Sequence, residues 1–174
     1  MALFDRTSPF EREVRPHLKS AYNLARWLTR NESDAEDALQ EALLRAYRHF
    51  DDVHSDDVRG WFLQIVRNTS YSWLKKHRGH VSVGDEKIDE VCDPGPDPEA
   101  RILSGEAVLR VRAAMEMLPA EFREVLILRE FNDLSYGEIA RITGLAEGTV
   151  MSRLSRARNK LRIILAADGK GESR

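Results

Sequence analysis

Between Val150 and Arg162 stand Arg153, Arg156, Arg158, Lys160 and Arg162, with no acid among them. A solvated helix usually mixes its signs, so a run of one sign suits a polyanionic partner. Val150, Leu154, Ala157 and Leu161 recur through the same stretch at steps of three and four and form one apolar stripe, leaving Ser152, Arg153, Arg156 and Lys160 off it. A second basic group lies upstream, where Arg67, Asn68, Tyr71, Ser72 and Lys75 lead into the run Lys75, Lys76, His77, Arg78. Cations interleaved with a tyrosine and an amide suit single-stranded nucleic acid, since the ring can stack and the amide can read a base edge. On these residues alone, a basic helix end favoured by its own dipole is an equal reading.

Other chemistry is not indicated. There is no glycine-rich phosphate loop and no histidine–carboxylate spacing of the metalloprotease type. The 5 histidines are scattered, and His77 and His80 sit beside basic residues that disfavour a metal cation. Cys92 and the serines have no partner in motif range, so catalysis is not expected, nor any cofactor or metal. One cysteine excludes an internal disulfide framework and a cysteine-rich zinc site, and fits a reducing compartment. The net charge is only −2, so any nucleic-acid footprint must be local. A hydrophobic share of 42% is enough for packed cores. No apolar run approaches a membrane span, and the first residues lack the apolar core of a signal peptide, so a cytoplasmic protein is expected.

The elements that must position these groups are all helices. Over 134–162, Ser135 and Glu138 make a capping box, and Ile139 and Ala140 point at a core. Gly144 falls where the chain must turn with a positive φ, and Val150 follows six residues later in a second helix predicted from about 147 to 162. This is the pattern of a helix-turn-helix, which sets its second helix in the DNA major groove; an amphipathic helix with a basic face is the weaker alternative.

Upstream, a helix is predicted over 10–29 with Val14, Leu18, Ala21, Tyr22, Ala25 and Leu28 inward and Pro16 marking its start. The next, over 34–50, is capped by Ser33 with Glu36 and buries Ala35, Ala38, Leu39, Ala42, Leu43, Ala46, Tyr47 and Phe50. Its other stripe is Asp37, Gln40, Glu41, Leu44 and Arg48. That stripe reads equally as a solvated face with one stray leucine or as a partner-binding ridge with an apolar centre.

After the polar loop 51–57 comes a helix over 58–77, with Trp61, Phe62, Ile65, Val66, Thr69 and Trp73 inward as core anchors. Residues 79–99 carry three prolines (Pro94, Pro96, Pro98) and many acids, which predicts an acidic linker and a domain boundary. A helix over 99–117 places Ile102, Leu103, Val108, Val111, Met115 and Leu118 inward. Pro119 opens the next helix, to 131, which buries Phe122, Val125, Leu126, Leu128 and Phe131. The fold class is all-α, as two small helical domains: 1–79, the linker 80–100, the domain 101–168 and a tail 169–174.

Four segments in order resemble the RNA polymerase sigma factors of the extracytoplasmic-function class, group IV of the sigma-70 family. SDAEDALQEALLRAYRHF is similar to the family helix that docks on the β′ clamp helices of core polymerase. RGWFLQIVRNTSYSWLKKHR looks like the segment that melts and reads the −10 element, and LPAEFREVLILREFNDLSYGEIA with GTVMSRLSRARNKL looks like the −35-binding domain. The resemblance implies that Asp37, Gln40, Glu41 and Leu44 contact β′. It implies that Arg67, Asn68, Tyr71, Lys75 and Lys76 face the −10 strand, with Asn68 holding a flipped base and the 51–57 loop shaping its pocket. Thr149, Met151, Ser152, Arg153, Ser155, Arg156 and Arg158 fall on the −35 side, Arg153 as a phosphate contact or a helix-packing salt bridge. Met151 stands where many relatives carry Lys or Arg and offers only apolar contact, for example to a thymine methyl, so the −35 sequence does not transfer from a relative.

The implied partners are core RNA polymerase, through the β′ clamp helices and the β flap, promoter DNA, and an anti-sigma factor that holds the protein inactive in a stress or envelope response. A sigma-like decoy for an anti-sigma factor, or a helix-turn-helix regulator acting without polymerase, are the rival readings. The first is disfavoured by the retained Asn68, Arg153, Arg156 and Arg158, the second by the matched N-terminal segments.

Overall fold

The computed structural model describes residues 8–53, 56–77 and 105–169; the linker 80–100, His54 and Ser55 of the polar loop, Ile102 and Leu103 lie outside them. Among the described residues every regular element is helical: α1 (Pro9–Val14), a 3-10 turn (Arg15–His17), α2 (Leu18–Thr29), α3 (Glu32–His49), a second 3-10 turn (Phe50–Asp52), α4 (Val58–His77), α5 (Gly105–Glu116), α6 (Ala120–Leu126), a π-helical turn (Ile127–Phe131), α7 (Tyr136–Thr143) and α8 (Glu147–Gly169).

The first helix is broken where one was expected. Ser8 and Glu11 form a capping box that starts α1, and Pro16 sits in the 3-10 turn rather than at the start. Ser33 does not cap α3. Arg30 closes α2 in the left-handed conformation at φ 59, which leaves Asn31 extended, and the Asn31 side chain accepts the Asp34 N–H at 3.0 Å. Four fully buried alanines, Ala35, Ala38, Ala42 and Ala46, line α3 and let it approach α2 and α4 closely. Tyr47, expected inside, is 64% exposed, because it stands one step round from that stripe, edge-on to the Phe10 ring of α1. Phe62, Val66 and Thr69 of α4 are buried as expected, and Leu63 and Ser70 are buried too, since α4 has a further neighbour in α7.

In the second half α5 packs on α8, so Ala114 and Met115 are covered whereas Val111, expected inside, is exposed. Pro119 is the cap of α6 rather than its first residue. Arg123 through Leu128 are all buried, more than one stripe of a helix, because α6 lies between α8 and α2. The π turn then rotates the register, with Asn132 N–H bonding to the Ile127 carbonyl at 3.1 Å, and Phe131 emerges 54% exposed against Trp27 of α2.

The helix-turn-helix forms as read. Ser135 Oγ accepts the Glu138 N–H and Glu138 accepts the Ser135 N–H, which holds the Glu138 carboxyl below its usual range. Gly144 ends α7 at φ 73. A Cβ there meets no atom within 4 Å, so Gly144→Ala is strained by backbone conformation alone. It is expected to cost about 1–2 kcal/mol, seen as a lower urea midpoint; an unchanged midpoint contradicts this. Val150, Leu154 and Ala157 of α8 are fully buried, and one apolar cluster runs through both halves of the chain.

Candidate nucleic-acid interface

The buried stripe of α8 forces its other side outward. Thr149, Met151, Ser152, Ser155 and Arg156 are exposed on it, with Met151 at 53%. The cations of this helix are not equivalent. Arg153 is half-buried and 3.7 Å from Glu121 of α6, so its charge is already met by packing between helices. Arg158 places Nε and Nη2 at 3.2 and 2.7 Å from one Glu130 oxygen. Lys160 lies over the Phe122 ring at 5.7 Å. Arg156 and Arg162 are exposed with no acid within ion-pair distance among the described residues, and Arg156 is the one that stands among Ser152 and Ser155.

On α4, Asn68, Lys75 and Lys76 are exposed, and the Asn68 Oδ1 takes an Arg67 N–H at 3.2 Å. Arg67 and Tyr71 are drawn elsewhere. Arg67 ion-pairs with Glu124 of α6 and donates a further bond to its Oε2 at 3.3 Å, while the Tyr71 hydroxyl donates to the same oxygen at 3.3 Å. The guanidinium also lies over the Tyr71 ring, 4.8 Å from its centroid. The Glu124 side chain is 1% exposed and that of Arg67 20%. Burial pushes the Glu124 carboxyl up, against the opposing pull of Arg67 and the Tyr71 hydroxyl; burial and Glu124 together push the Tyr71 phenol well up. Sequence reasoning missed Glu124. No local pattern in the sequence marks it, since Arg67 and Tyr71 lie on α4, 57 and 53 residues away.

On α3, Asp37, Gln40 and Leu44 are exposed, and Glu41 is ion-paired with Arg45 one turn on. Leu44, at 59%, lines with Phe10, Leu43 and Tyr47 an open cavity of about 430 Å³. Among the described residues no group of three or more His, Cys, Asp or Glu is set to hold a metal ion, and no helix is long and apolar enough to cross a membrane.

Comparison with known proteins places these faces in a family. Residues 14–80 match the model for sigma-70 region 2, and residues 109–161 that for sigma-70 region 4. The chain is 33% identical to the ECF RNA polymerase sigma factor SigE of Mycolicibacterium smegmatis over 173 residues, 95% of this chain and 67% of that one. It is 33% identical to the ECF sigma factor SigM of Mycobacterium tuberculosis over 157 residues, covering 90% and 76%. The solved structure of the sigma factor RpoE from Bartonella quintana, in complex with the anti-sigma factor NepR, superposes with a TM-score of 0.77 at 31% identity, covering 91% of this chain and 98% of that one. Two family regions in the family's order, on helices that present basic and amide side chains outward, lead to one conclusion: the chain belongs to the extracytoplasmic-function sigma factors, which are transcription initiation factors of RNA polymerase and not enzymes.

Proposed function

We propose that the chain docks on core RNA polymerase through α3 and reads promoters at two places. Asp37, Gln40, Glu41 and Leu44 form the face for the β′ clamp helices, and the 101–168 unit meets the β flap. Asn68, Arg67, Tyr71, Lys75 and Lys76 of the 1–79 unit take the melted −10 strand, with Asn68 holding a flipped base. Thr149, Met151, Ser152, Ser155 and Arg156 of α8 lie in the −35 major groove; Arg153 and Arg158 brace α8 on α6 and the π turn, within reach of phosphate. The observation that carries this reading is α8 itself, buried along Val150, Leu154 and Ala157 and presenting the opposite face in full. Two modest DNA contacts joined by the 80–100 linker gain specificity because the second becomes intramolecular.

Regulation by an anti-sigma factor is part of the proposal, supported by the Bartonella relative solved in complex with one. A cytoplasmic location follows from the same role, and a stress or envelope response is the setting we assign.

Transcription by sigma-free core polymerase on fragmented genomic DNA, with and without the chain, tests the reading. New transcript starts that share −35 and −10 elements support it and supply the promoter sequence. Core binding without new starts favours a decoy, and the absence of both binding and starts returns the chain to polymerase-independent regulation.

A further inference from the structure

The contact between the two halves uses the residues assigned to DNA. Glu124 Oε1 and Oε2 are both engaged by the Arg67 guanidinium, and Oε2 also takes the Tyr71 hydroxyl. A planar fork of N–H donors plus a hydroxyl, set around an anionic group with two oxygens, is equally a seat for a phosphate. The Arg67 guanidinium over the Tyr71 ring covers the surface on which a base would stack. We propose that Glu124 stands in for a phosphate of the −10 strand, so that the closed chain is its own competitor for single-stranded promoter DNA. This rests on the reading of α4 as the −10 surface.

Beyond Glu124 the two halves meet over a shared apolar cluster as well as over polar contacts. Among the polar contacts, Arg59 donates to the Asn132 carbonyl, and Arg141 lies 3.5 Å from Asp57 with its side chain 65% exposed. The Trp27–Phe131 ring contact leaves Phe131 more than half in water. Burial pushes the Glu124 carboxyl up against the pull of Arg67 and the Tyr71 hydroxyl, so a phosphate that keeps its charge and stays partly in water competes well for the same donors. A DNA strand brings many phosphates and releases counterions, which Glu124 does not. Closure and strand binding are therefore mutually exclusive and linked: a partner that separates the halves uncovers Arg67 and Tyr71, and a strand that takes them favours separation.

The test uses the full chain and a labelled, randomised single-stranded oligonucleotide, followed by fluorescence anisotropy and small-angle scattering. Glu124→Ala is expected to bind the strand about tenfold more tightly, the scale of one charge-assisted pair. Its radius of gyration is expected to rise. Glu106→Ala, an exposed change of the same charge on α5, is the control and is expected to change neither. Expansion without tighter binding overturns the competition, and a compact variant that binds no better than the control overturns the clasp. Were Glu124→Ala not to fold, the wild-type chain decides: saturating oligonucleotide expands it if the proposal holds, and an unchanged radius overturns it. Promoter-specific starts from the same chain with core polymerase keep the two levels apart. Starts without these effects sink the inference alone, whereas no starts sink the sigma-factor reading beneath it.

Discussion

Leu44→Asp is expected to abolish association with core RNA polymerase while leaving the free chain folded. Leu44 is 59% exposed and contributes little to the core, so its stability effect should stay within about 0.5 kcal/mol, as for most surface substitutions. At an interface the balance differs. Burying a leucine stabilises by roughly 1.5–3 kcal/mol, and a carboxylate in its place is desolvated without a partner, which costs several kcal/mol more. On the same ridge of α3 Asp37 repels the new charge and Arg48, one turn on, attracts it, so the neighbouring charges roughly offset and the loss of apolar contact decides. The sum corresponds to at least about a hundredfold loss in affinity. If α3 is the docking face, Leu44 is its centre and not its rim, since Phe10, Leu43 and Tyr47 continue its apolar surface around the cavity, and Gln40 borders it. Binding of labelled chain to core polymerase, beside a thermal melt, measures both halves of the expectation. Full retention of binding by a folded variant removes the assignment of α3 to β′.

What could be read from residues alone was local. Ser135, Glu138 and Gly144 act within one turn of helix, so the helix-turn-helix was legible down to its caps and its positive φ. The bounds of α4 were legible because a polar loop precedes it and a basic run ends it. The start of α3 was not, since Asn31 and Ser33 are both good caps two residues apart, and only the left-handed Arg30 decides between them. Tyr47, Val111 and Phe131 were misplaced for related reasons. Periodicity says that a residue lies on a stripe, but whether a neighbour covers that stripe depends on tertiary packing: α5 has α8 on one side, and the π turn shifts the register before Phe131. Glu124 is the extreme case. Its partners Arg67 and Tyr71 are 57 and 53 residues away across the linker, and no local pattern carries that distance. The residues we assign to DNA could be picked out by type, but which of them the fold already engages could not.

That difference sharpens the assignment of roles on α8. Arg153, Arg158 and Lys160 each already have a partner within the fold, on Glu121, Glu130 and Phe122, so removing one of them disturbs packing as well as any DNA contact. Arg156 is exposed, with Ser152 one turn before it and Ser155 beside it. Its truncation therefore tests for a contact with DNA without disturbing a partner within the fold. Arg156→Ala is expected to weaken binding to a −35 duplex by about 1–3 kcal/mol if the guanidinium forks onto a guanine edge, and to relax preference at one base pair. A phosphate contact predicts a different pattern, a uniform loss on all sequences and a salt dependence shallower by about one counterion. Anisotropy of holoenzyme on a mapped promoter and on the same duplex with each −35 base pair changed, at two salt concentrations, separates the patterns. Preference unchanged at every position rejects a base-reading role for Arg156. The discrimination would then pass to Met151, Ser152 and Ser155, whose short or apolar side chains read methyl groups and single acceptors, and this promoter class would be one selected by shape and thymine contacts more than by a guanine.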